Sequence, residues 1–272
     1  MNKKDEEAVL MNTPSNRTFL PFSLHLVDLR ISIQGVAIVA ASDISIPTKA
    51  KTVLLGNSGS GKSTLLKALL GLLAAGTVVE GHVIDRITQR HYSGVELKNG
   101  KLPAIIRCGY LPQSGSLLPH HTTAGGFLKD LMRHTHTTVM NDWLEFFGLE
   151  RNEYFDSKLP TQFSGGERRR FALAVVLSSN PELIFLDEPT SGLDDERVEE
   201  LLLRLTQLEH TMIFATHDYV FASRLADQVI FLENGKVAEQ ARSDEFFRRP
   251  RSEGAKRYCD AWRRLLREHG EK

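Results

Sequence analysis

The feature that most constrains this chain is a glycine-rich loop between a short β-type run and a helical run. Strand formers fill Lys51–Leu55, and helix formers occupy nearly every position of Leu65–Leu73. Between the two runs, the spacing G-x-x-x-x-G-K-[ST] is met from Gly56 to Ser63. Strand, glycine loop and helix in this order predict a phosphate-binding loop for a nucleoside triphosphate.

The chemistry expected of this loop follows from its backbone and its charge. Glycines let N–H groups converge on the phosphates, which then lie at the positive end of the helix that opens at Lys62. We expect the Lys62 ammonium to reach the β- and γ-phosphates and the Ser63 hydroxyl to bind Mg²⁺. The alternative is a glycine-rich turn without a ligand. The residues predicted to bind the nucleotide are Gly56, Asn57, Ser58, Gly59, Ser60, Gly61, Lys62, Ser63 and Thr64.

A pair of carboxylates follows an uninterrupted apolar run later in the chain. The run Leu183–Leu186 is typical of a parallel strand buried on both faces, and it ends in Asp187 and Glu188. Ligands of open α/β sheets bind at the carboxyl ends of the strands, where the phosphate loop also lies. We therefore predict that Asp187 holds Mg²⁺ through water and that Glu188 polarises the attacking water. The alternative is a solvated acidic pair that opens a turn before Pro189.

Four further motifs accompany the loop and the acids. In chain order they are Gln113 after Tyr-Leu-Pro, Phe163–Glu167 before a helical run, Ser191–Asp194, and Ala215–Asp218. Together the motifs resemble those of the ATP-binding cassette (ABC) ATPases, and the resemblance covers roughly residues 22–241. It implies an α/β fold, a P-loop NTPase of ABC type. The core sheet should be mostly parallel, accompanied by an antiparallel β-subdomain and a helical subdomain.

The resemblance gives the segment around Ser164 a role between two copies of the domain. Ser164, Gly165 and Gly166 match the signature motif, whose hydroxyl and N–H groups grip the γ-phosphate bound by the other cassette of a dimer. A single cassette would then be an incomplete enzyme. The chain departs from the family at the ends of the motif, with Phe163 in place of the usual Leu and Glu167 in place of the usual Gln. We keep Glu167 in the predicted trans signature with the serine and the glycines.

Three single residues also take roles from the resemblance. Gln113 matches the Q-loop, which contacts Mg²⁺ and the attacking water, and His217 matches the switch histidine at the γ-phosphate. Asp194 matches the D-loop aspartate at the dimer interface. Each has a plainer alternative: a polar loop residue for Gln113, a histidine at a strand end for His217, and a helix N-cap for Asp194.

The adenine-stacking aromatic residue of the family has no clear counterpart in this chain. Counting back from the predicted strand around Ile46 puts Ile33 in its place. The alternative is that Phe19, Phe22 or His25 supplies a ring from the preceding segment.

The amino-acid composition limits the kinds of binding partner and the cellular compartment that are expected. The 34 basic and 34 acidic residues cancel, so no global basic field favours nucleic acid. The local run Arg168–Arg170 is interpreted as a solvated helix face or a partner contact. The two cysteines, Cys108 and Cys259, are too few for a disulfide framework and are typical of a reducing compartment.

The sequence also predicts an order of domains. We expect a polar extension over residues 1–21, the ATPase domain over 22–241 with its helical subdomain at about 114–162, and a helical tail over 242–272. Cys108–Leu111 is predicted to be a strand of the antiparallel β-subdomain.

The expected function is ATP hydrolysis that energises solute transport. No segment approaches the roughly 20 apolar residues of a membrane helix, so the membrane spans are expected on separate permease subunits. The other expected partners are a second cassette, in a homodimer or related heterodimer, and a possible solute-binding protein. The chain is expected at the cytoplasmic face of the inner membrane, bound peripherally.

The tail carries two weaker signals. Ser243–Pro250 resembles the end of cassettes from bacterial importers, so import is favoured. The alternative is a soluble, non-transport ABC ATPase such as an iron–sulfur assembly factor. Lys256–Arg267 is predicted to form an amphipathic helix that packs on the core or on a second protomer.

Overall fold

One mixed β-sheet runs through the protein. The computed structural model describes residues 23–102, 106–114, 121–132 and 137–269, so the predicted extension over 1–21 lies outside the described residues, as do Phe19 and Phe22. In this part of the chain the strands follow the order β6-β5-β1-β2-β11-β10-β4-β9-β8-β7, and β3 pairs with β1. Their bounds are β1 Leu24–Ile33, β2 Val36–Ala41, β3 Ile44–Ile46, β4 Lys51–Leu55, β5 Thr77–Asp85, β6 Arg90–Ser93, β7 Cys108–Leu111, β8 Leu183–Asp187, β9 Thr211–Ala215, β10 Gln228–Glu233 and β11 Lys236–Arg242.

Half of the sheet is parallel and carries the site. Strands β10, β4, β9, β8 and β7 pair in parallel from one neighbour to the next. The predicted assignment of β7 to the antiparallel β-subdomain is therefore wrong, because Tyr110 lies in register with Phe185 of β8. Gly109 allows this position, since a Cβ there would lie 2.9 Å from Pro181 and 3.0 Å from Val176.

The other half of the sheet is antiparallel, as predicted for the β-subdomain. Strand β1 pairs antiparallel with β2, β3 and β5, and β5 pairs antiparallel with β6. The two halves meet where Lys236 of β11 pairs with Ala40 of β2. Strands β10 and β11 form an antiparallel hairpin, and its turn residues Asn234 and Gly235 have φ of 50° and 76°, the left-handed values of a tight hairpin turn.

Helices cover both faces of the sheet. Alternate residues of a strand point to opposite faces, so Leu54 belongs to one apolar cluster while Val53 and Leu55 belong to the other. Helix α1 packs on the Leu54 face, and α6 to α10 pack on the opposite face. The helices are α1 Lys62–Leu70, α2 Gly94–Lys98, α3 Ala124–Leu131, α4 Thr137–Phe146, α5 Glu153–Ser157, α6 Gly165–Ser178, α7 Asp195–Gln207, α8 Tyr219–Leu225, α9 Ser243–Arg248 and α10 Glu253–His269.

The tail packs on the core. Helix α10 buries Ala255 and Cys259 completely, and the Trp262 ring stacks on Tyr219 of α8 with 5.8 Å between ring centroids. The predicted packing of the amphipathic tail helix on the core is confirmed, and the helix begins earlier than expected, at Glu253.

Candidate active site

The glycine loop has a backbone that only glycine accepts at its two ends. Gly56 has φ of 144°, and a Cβ there would lie 2.1 Å from the carbonyl oxygen of Leu232. Gly61 has φ of 100°, and its Cβ would lie 2.7 Å from Cγ2 of Val39. The loop therefore packs closely between β10 and β2. Helix α1 begins directly after the loop, and its N-cap residue Gly61 provides no side-chain cap. The uncapped N–H groups of its first turn are donors for an anion.

The Lys62 side chain folds back over the loop. Its Nζ donates hydrogen bonds to the carbonyl oxygens of Gly56 at 2.8 Å and Asn57 at 3.0 Å. Burial lowers the pKa of Lys62, and the charges of Glu188 and Asp187 oppose that shift. The ammonium thus faces the two predicted acids from within the loop.

Asp187 is the last residue of strand β8 and is almost fully buried, with 1% of its surface exposed. Burial raises its pKa, and a hydrogen bond with the Ser63 side chain acts in the opposite direction. Its Oδ2 has no hydrogen-bond partner among the described residues. A buried carboxylate oxygen without a donor, beside a serine hydroxyl, is the oxygen-rich donor set that suits Mg²⁺. The pair predicted from sequence, Ser63 and Asp187, is thereby brought together.

Glu188 adopts a backbone conformation that is uncommon for a residue with a side chain, with φ of 57°. Its Oε2 accepts hydrogen bonds from Oγ1 of Thr216 at 3.1 Å and from the main-chain N–H of His217 at 3.2 Å. The His217 Nδ1 lies 2.8 Å from the same oxygen, and the His217 side chain is 77% exposed. Glu188 and His217 therefore form one contact group at the ends of β8 and β9, open to solvent on the histidine side.

Arg169 also belongs to this site. The residue is 6% exposed, and its guanidinium donates to the carbonyl oxygens of Gln113 at 2.5 Å, Asp187 at 2.7 Å, and Glu188. The expectation that Arg168–Arg170 is a solvated face or partner contact is wrong for Arg169. The burial that removes water from the guanidinium also lowers its pKa.

Helical spacing is the signal that could have identified Arg169. Ala172, Leu173 and Val176 follow it by three, four and seven residues, and all three are buried in α6. Residues at these offsets share one helix face. An arginine on an apolar face requires acceptors inside the protein, and here they are the carbonyl groups at the end of β8 and after β7.

The predicted signature residues open helix α6. Ser164 is the N-cap: its Oγ accepts from the Glu167 N–H at 3.2 Å, and Glu167 Oε2 accepts from the Ser164 N–H at 2.9 Å. This reciprocal capping box leaves Ser164 and Gly165 exposed at the surface. Gly166 lies close to Gly192, which precedes the predicted D-loop aspartate.

The remaining predicted residues are tied to the site more loosely. Gln113 has an exposed side chain, and its carbonyl oxygen is held by Arg169. Asp194 is the N-cap of α7, with Oδ1 accepting from the Arg197 N–H at 2.9 Å. The N-cap alternative for Asp194 thus describes its contact within one chain, and its interface role stays a prediction.

The place of the adenine ring also stays a prediction. Ile33 is the last residue of β1 and is half-buried. His25 lies at the other end of the same strand, where its Nε2 is 2.5 Å from Asp43 Oδ1 and its Nδ1 is 2.9 Å from a guanidinium nitrogen of Arg86.

Comparison with known sequences gives one consistent result. The family described as ABC transporter matches residues 39–191. The glutamate transport ATP-binding protein of Corynebacterium glutamicum is 33% identical over 228 residues, which cover 79% of this chain and 88% of that protein. The L-cystine transport system ATP-binding protein of Escherichia coli is 30% identical over 250 residues, 88% of this chain and 97% of that protein. An Fe(3+) ions import ATP-binding protein of Yersinia pestis is 33% identical over 241 residues, 84% and 64% of the two chains.

Comparison with solved structures gives the same result as comparison with known sequences. A dimeric ATP-binding cassette in a post-hydrolysis state, bound to ADP and phosphate, is 25% identical, with a TM-score of 0.66 over 81% of this chain and 98% of that one. The ATP-binding subunit of an ABC transporter has the same fold, with a TM-score of 0.66 and 22% identity over 83% of this chain and 92% of that one. Among the residues that the structure describes, no helix is long and apolar enough to cross a bilayer.

Proposed function

Because this chain belongs to the ABC transporter family, we propose that it is the ATP-hydrolysing subunit that energises import of a solute through membrane subunits on separate chains. The named relatives support import, since they are ATP-binding proteins of glutamate, cystine and Fe(3+) transport or import systems. Such names do not favour the alternative of a non-transport factor in iron–sulfur assembly.

The observation that carries the ATPase assignment is the grouping of Lys62, Ser63, Asp187, Glu188 and His217 at one edge of the parallel sheet. The glycine loop would hold the phosphates with its N–H groups, and Lys62 would exchange its two carbonyl acceptors for phosphate oxygens. Cleavage of a phosphoanhydride depends mainly on positioning and on neutralising charge. This grouping supplies both.

Magnesium fits the residues at the end of β8. Ser63 and Asp187 would hold the ion, Asp187 through water, and the Gln113 side chain would complete the set from the loop after β7. The unpartnered Oδ2 of buried Asp187 supports this assignment. When bound, Mg²⁺ would neutralise charge on the β- and γ-phosphates.

Glu188 is proposed to accept a proton from the attacking water. Its carboxylate is held by Thr216 and by the His217 N–H through one oxygen, Oε2. The other oxygen, Oε1, would face the attacking water. His217, which contacts the same carboxylate at 2.8 Å, would turn to the γ-phosphate when the nucleotide is bound.

The complete enzyme is proposed to be a dimer of cassettes. Ser164, Gly165 and Gly166 would contact the γ-phosphate bound to the second cassette, Glu167 would belong to the same trans signature, and Asp194 would lie at the interface. Exposure of Ser164 and Gly165 supports this, because an internal role would require their burial. The second cassette is another copy of this chain or a related one.

We also propose the surroundings of the complex. Permease subunits would hold the cassettes at the cytoplasmic face of the inner membrane, and a solute-binding protein would deliver the cargo. The described helices between β7 and α6, which are α3, α4 and α5, form the proposed helical subdomain at about 114–162 that contacts the permease. The proposed ATPase domain spans 22–241 and the helical tail 242–272.

Substitution Glu188→Gln tests the catalytic assignment. Removing the base while keeping its shape should leave ATP binding intact and reduce hydrolysis by about a hundredfold or more. The variant should also accumulate as a nucleotide-bound dimer. The measurements are steady-state turnover, ATP binding, and gel-filtration mass with ATP and Mg²⁺.

The matched control is Asp195→Asn, an exposed carboxylate in the first turn of α7, which should keep wild-type turnover. Near-normal turnover of Glu188→Gln would remove Glu188 from the base role. Copurification of the tagged chain with hydrophobic membrane subunits tests the transport assignment, and recovery of the chain without them from detergent-solubilised membranes would contradict it.

A further inference from the structure

A lysine is buried directly beside the signature turn. Lys158 is 8% exposed, and its Nζ lies 2.9 Å from Oε1 of Glu167. The ammonium also lies over two aromatic rings, 5.0 Å from the centre of Tyr154 and 5.1 Å from that of Phe163. Two ring faces and one carboxylate therefore hold the ammonium in place.

The Glu167 carboxylate uses its two oxygens for different partners. Oε1 contacts Lys158, and Oε2 accepts from the Ser164 N–H at 2.9 Å. The Ser164 Oγ in turn accepts from the Glu167 N–H at 3.2 Å. The Ser164 hydroxyl also hydrogen-bonds the Glu167 carboxylate, so these contacts fix its position at the exposed turn.

The Lys158 ammonium balances the negative charge of Glu167, which would otherwise oppose phosphate binding. A glutamate at position 167 puts a negative charge on the turn that we assign to the partner's triphosphate, where a glutamine would be neutral. The Lys158 hydrogen bond lowers the pKa of Glu167 to about 2, so the carboxylate is ionised at neutral pH. Without a nearby cation, this charge would repel the incoming phosphates.

We propose that Lys158 is a positioning residue for the trans nucleotide site: it neutralises Glu167 and fixes the capping box, so that Ser164 and the helix N-terminus can accept a polyphosphate from a second cassette. The inference rests on the proposed trans use of the signature. It assigns no contact between Lys158 and the nucleotide, since the ammonium is buried under the rings and acts through Glu167.

A charge-swap series tests this role in the full-length protein. The variants are Lys158→Met, Lys158→Arg, Glu167→Gln and the double variant Lys158→Met/Glu167→Gln. For each, ATPase turnover is measured against protein concentration at saturating ATP and Mg²⁺. ATP binding is measured at concentrations too low for dimers. Thermal unfolding reports whether each variant folds.

Lys158→Met should raise the protein concentration for half-maximal turnover by about tenfold, because it leaves an uncompensated charge at the interface. Monomer ATP binding should not change, and the defect should shrink as ionic strength rises. Lys158→Arg keeps the positive charge and should stay within about threefold of wild type. Glu167→Gln leaves the buried ammonium without its carboxylate, so this variant serves as the reference for the double variant. The double variant should recover to the level of Glu167→Gln.

A double variant as impaired as Lys158→Met would overturn the inference, since the lysine would then act through packing on Tyr154 and Phe163. A Lys158→Met protein with wild-type concentration dependence would overturn it as well. If Lys158→Met does not fold, Glu167→Gln/Lys158→Leu supplies the neutral pair, and loss of cooperative turnover in that folded variant contradicts the charge argument. Failure of the proposed function is a separate result: wild-type turnover would then be independent of protein concentration.

Discussion

Replacing Arg169 by Met should loosen the site without touching a nucleotide-binding side chain. Three carbonyl groups, on Gln113, Asp187 and Glu188, accept from the guanidinium. A hydrogen bond to a charged group contributes about 1.5–3 kcal/mol to stability. The sum for three such bonds is an upper bound, because burying the guanidinium has its own cost. We expect a net loss of about 3 kcal/mol, within the 3–5 kcal/mol typical of breaking a buried charged contact.

For a chain of this length that loss corresponds to a fall in Tm of about 6–12 °C. The catalytic effect should appear in kcat more than in KM, because the left-handed backbone at Glu188 loses the donor that holds its carbonyl group. The assays are thermal unfolding and ATPase kinetics on the same samples. Arg242→Met is the control: its side chain is 78% exposed and contacts Asp244 at 3.3 Å, so its effect should stay below about 0.5 kcal/mol. A Tm and kcat for Arg169→Met equal to those of the control would refute the reasoning.

Two further substitutions probe the nucleotide pocket. Gly56→Ala should abolish ATP binding, because residue 56 has a φ of 144° and its Cβ would lie 2.1 Å from the Leu232 carbonyl oxygen. A Cβ at Gly59 meets no atom within 4 Å, so Gly59→Ala should lose less ATP affinity. A fluorescent ATP titration that ranks the two variants in the opposite order contradicts the geometry. Ile33→Tyr should tighten ATP binding about tenfold, the low end of base stacking on an aromatic ring, and wild type should discriminate ATP from GTP poorly. Strong wild-type ATP preference that collapses in Phe22→Ala would show that the ring comes from Phe22.

The parts of the site that the sequence predicts are those encoded by short segments. The glycine loop, the acids after β8 and the residue after β9 each belong to a strand end, and the carboxyl ends of parallel strands meet at one edge. Asp187 therefore lies beside Ser63, and Glu188 beside His217, as sequence order and fold class together imply.

Contacts between segments that are distant in the sequence do not follow from strand ends and fold class alone. The four residues of β7 carry no periodicity that selects a partner strand, and the close approach of Gly109 to Pro181, which accompanies the pairing with β8, is visible only in the structure. By composition Arg169 is one of three consecutive arginines, whereas its side chain lies on the same helical face as its buried neighbours. Periodicity applied to Arg169–Val176 would have placed a cation among apolar residues and raised the question of its acceptors.

The effect of the glutamate at position 167 does not follow from the motif alone, because it depends on contacts that only the structure shows. In the sequence, Glu167 differs from the usual glutamine by one charge, and nothing in the motif indicates how that charge is balanced. The balancing cation, Lys158, lies on the other side of Pro160, and the turn through the short helical segment Pro160–Gln162 brings the two together. Because Lys158 is buried under aromatic rings rather than exposed at the turn, the pair keeps its geometry while leaving Ser164 open to a second chain.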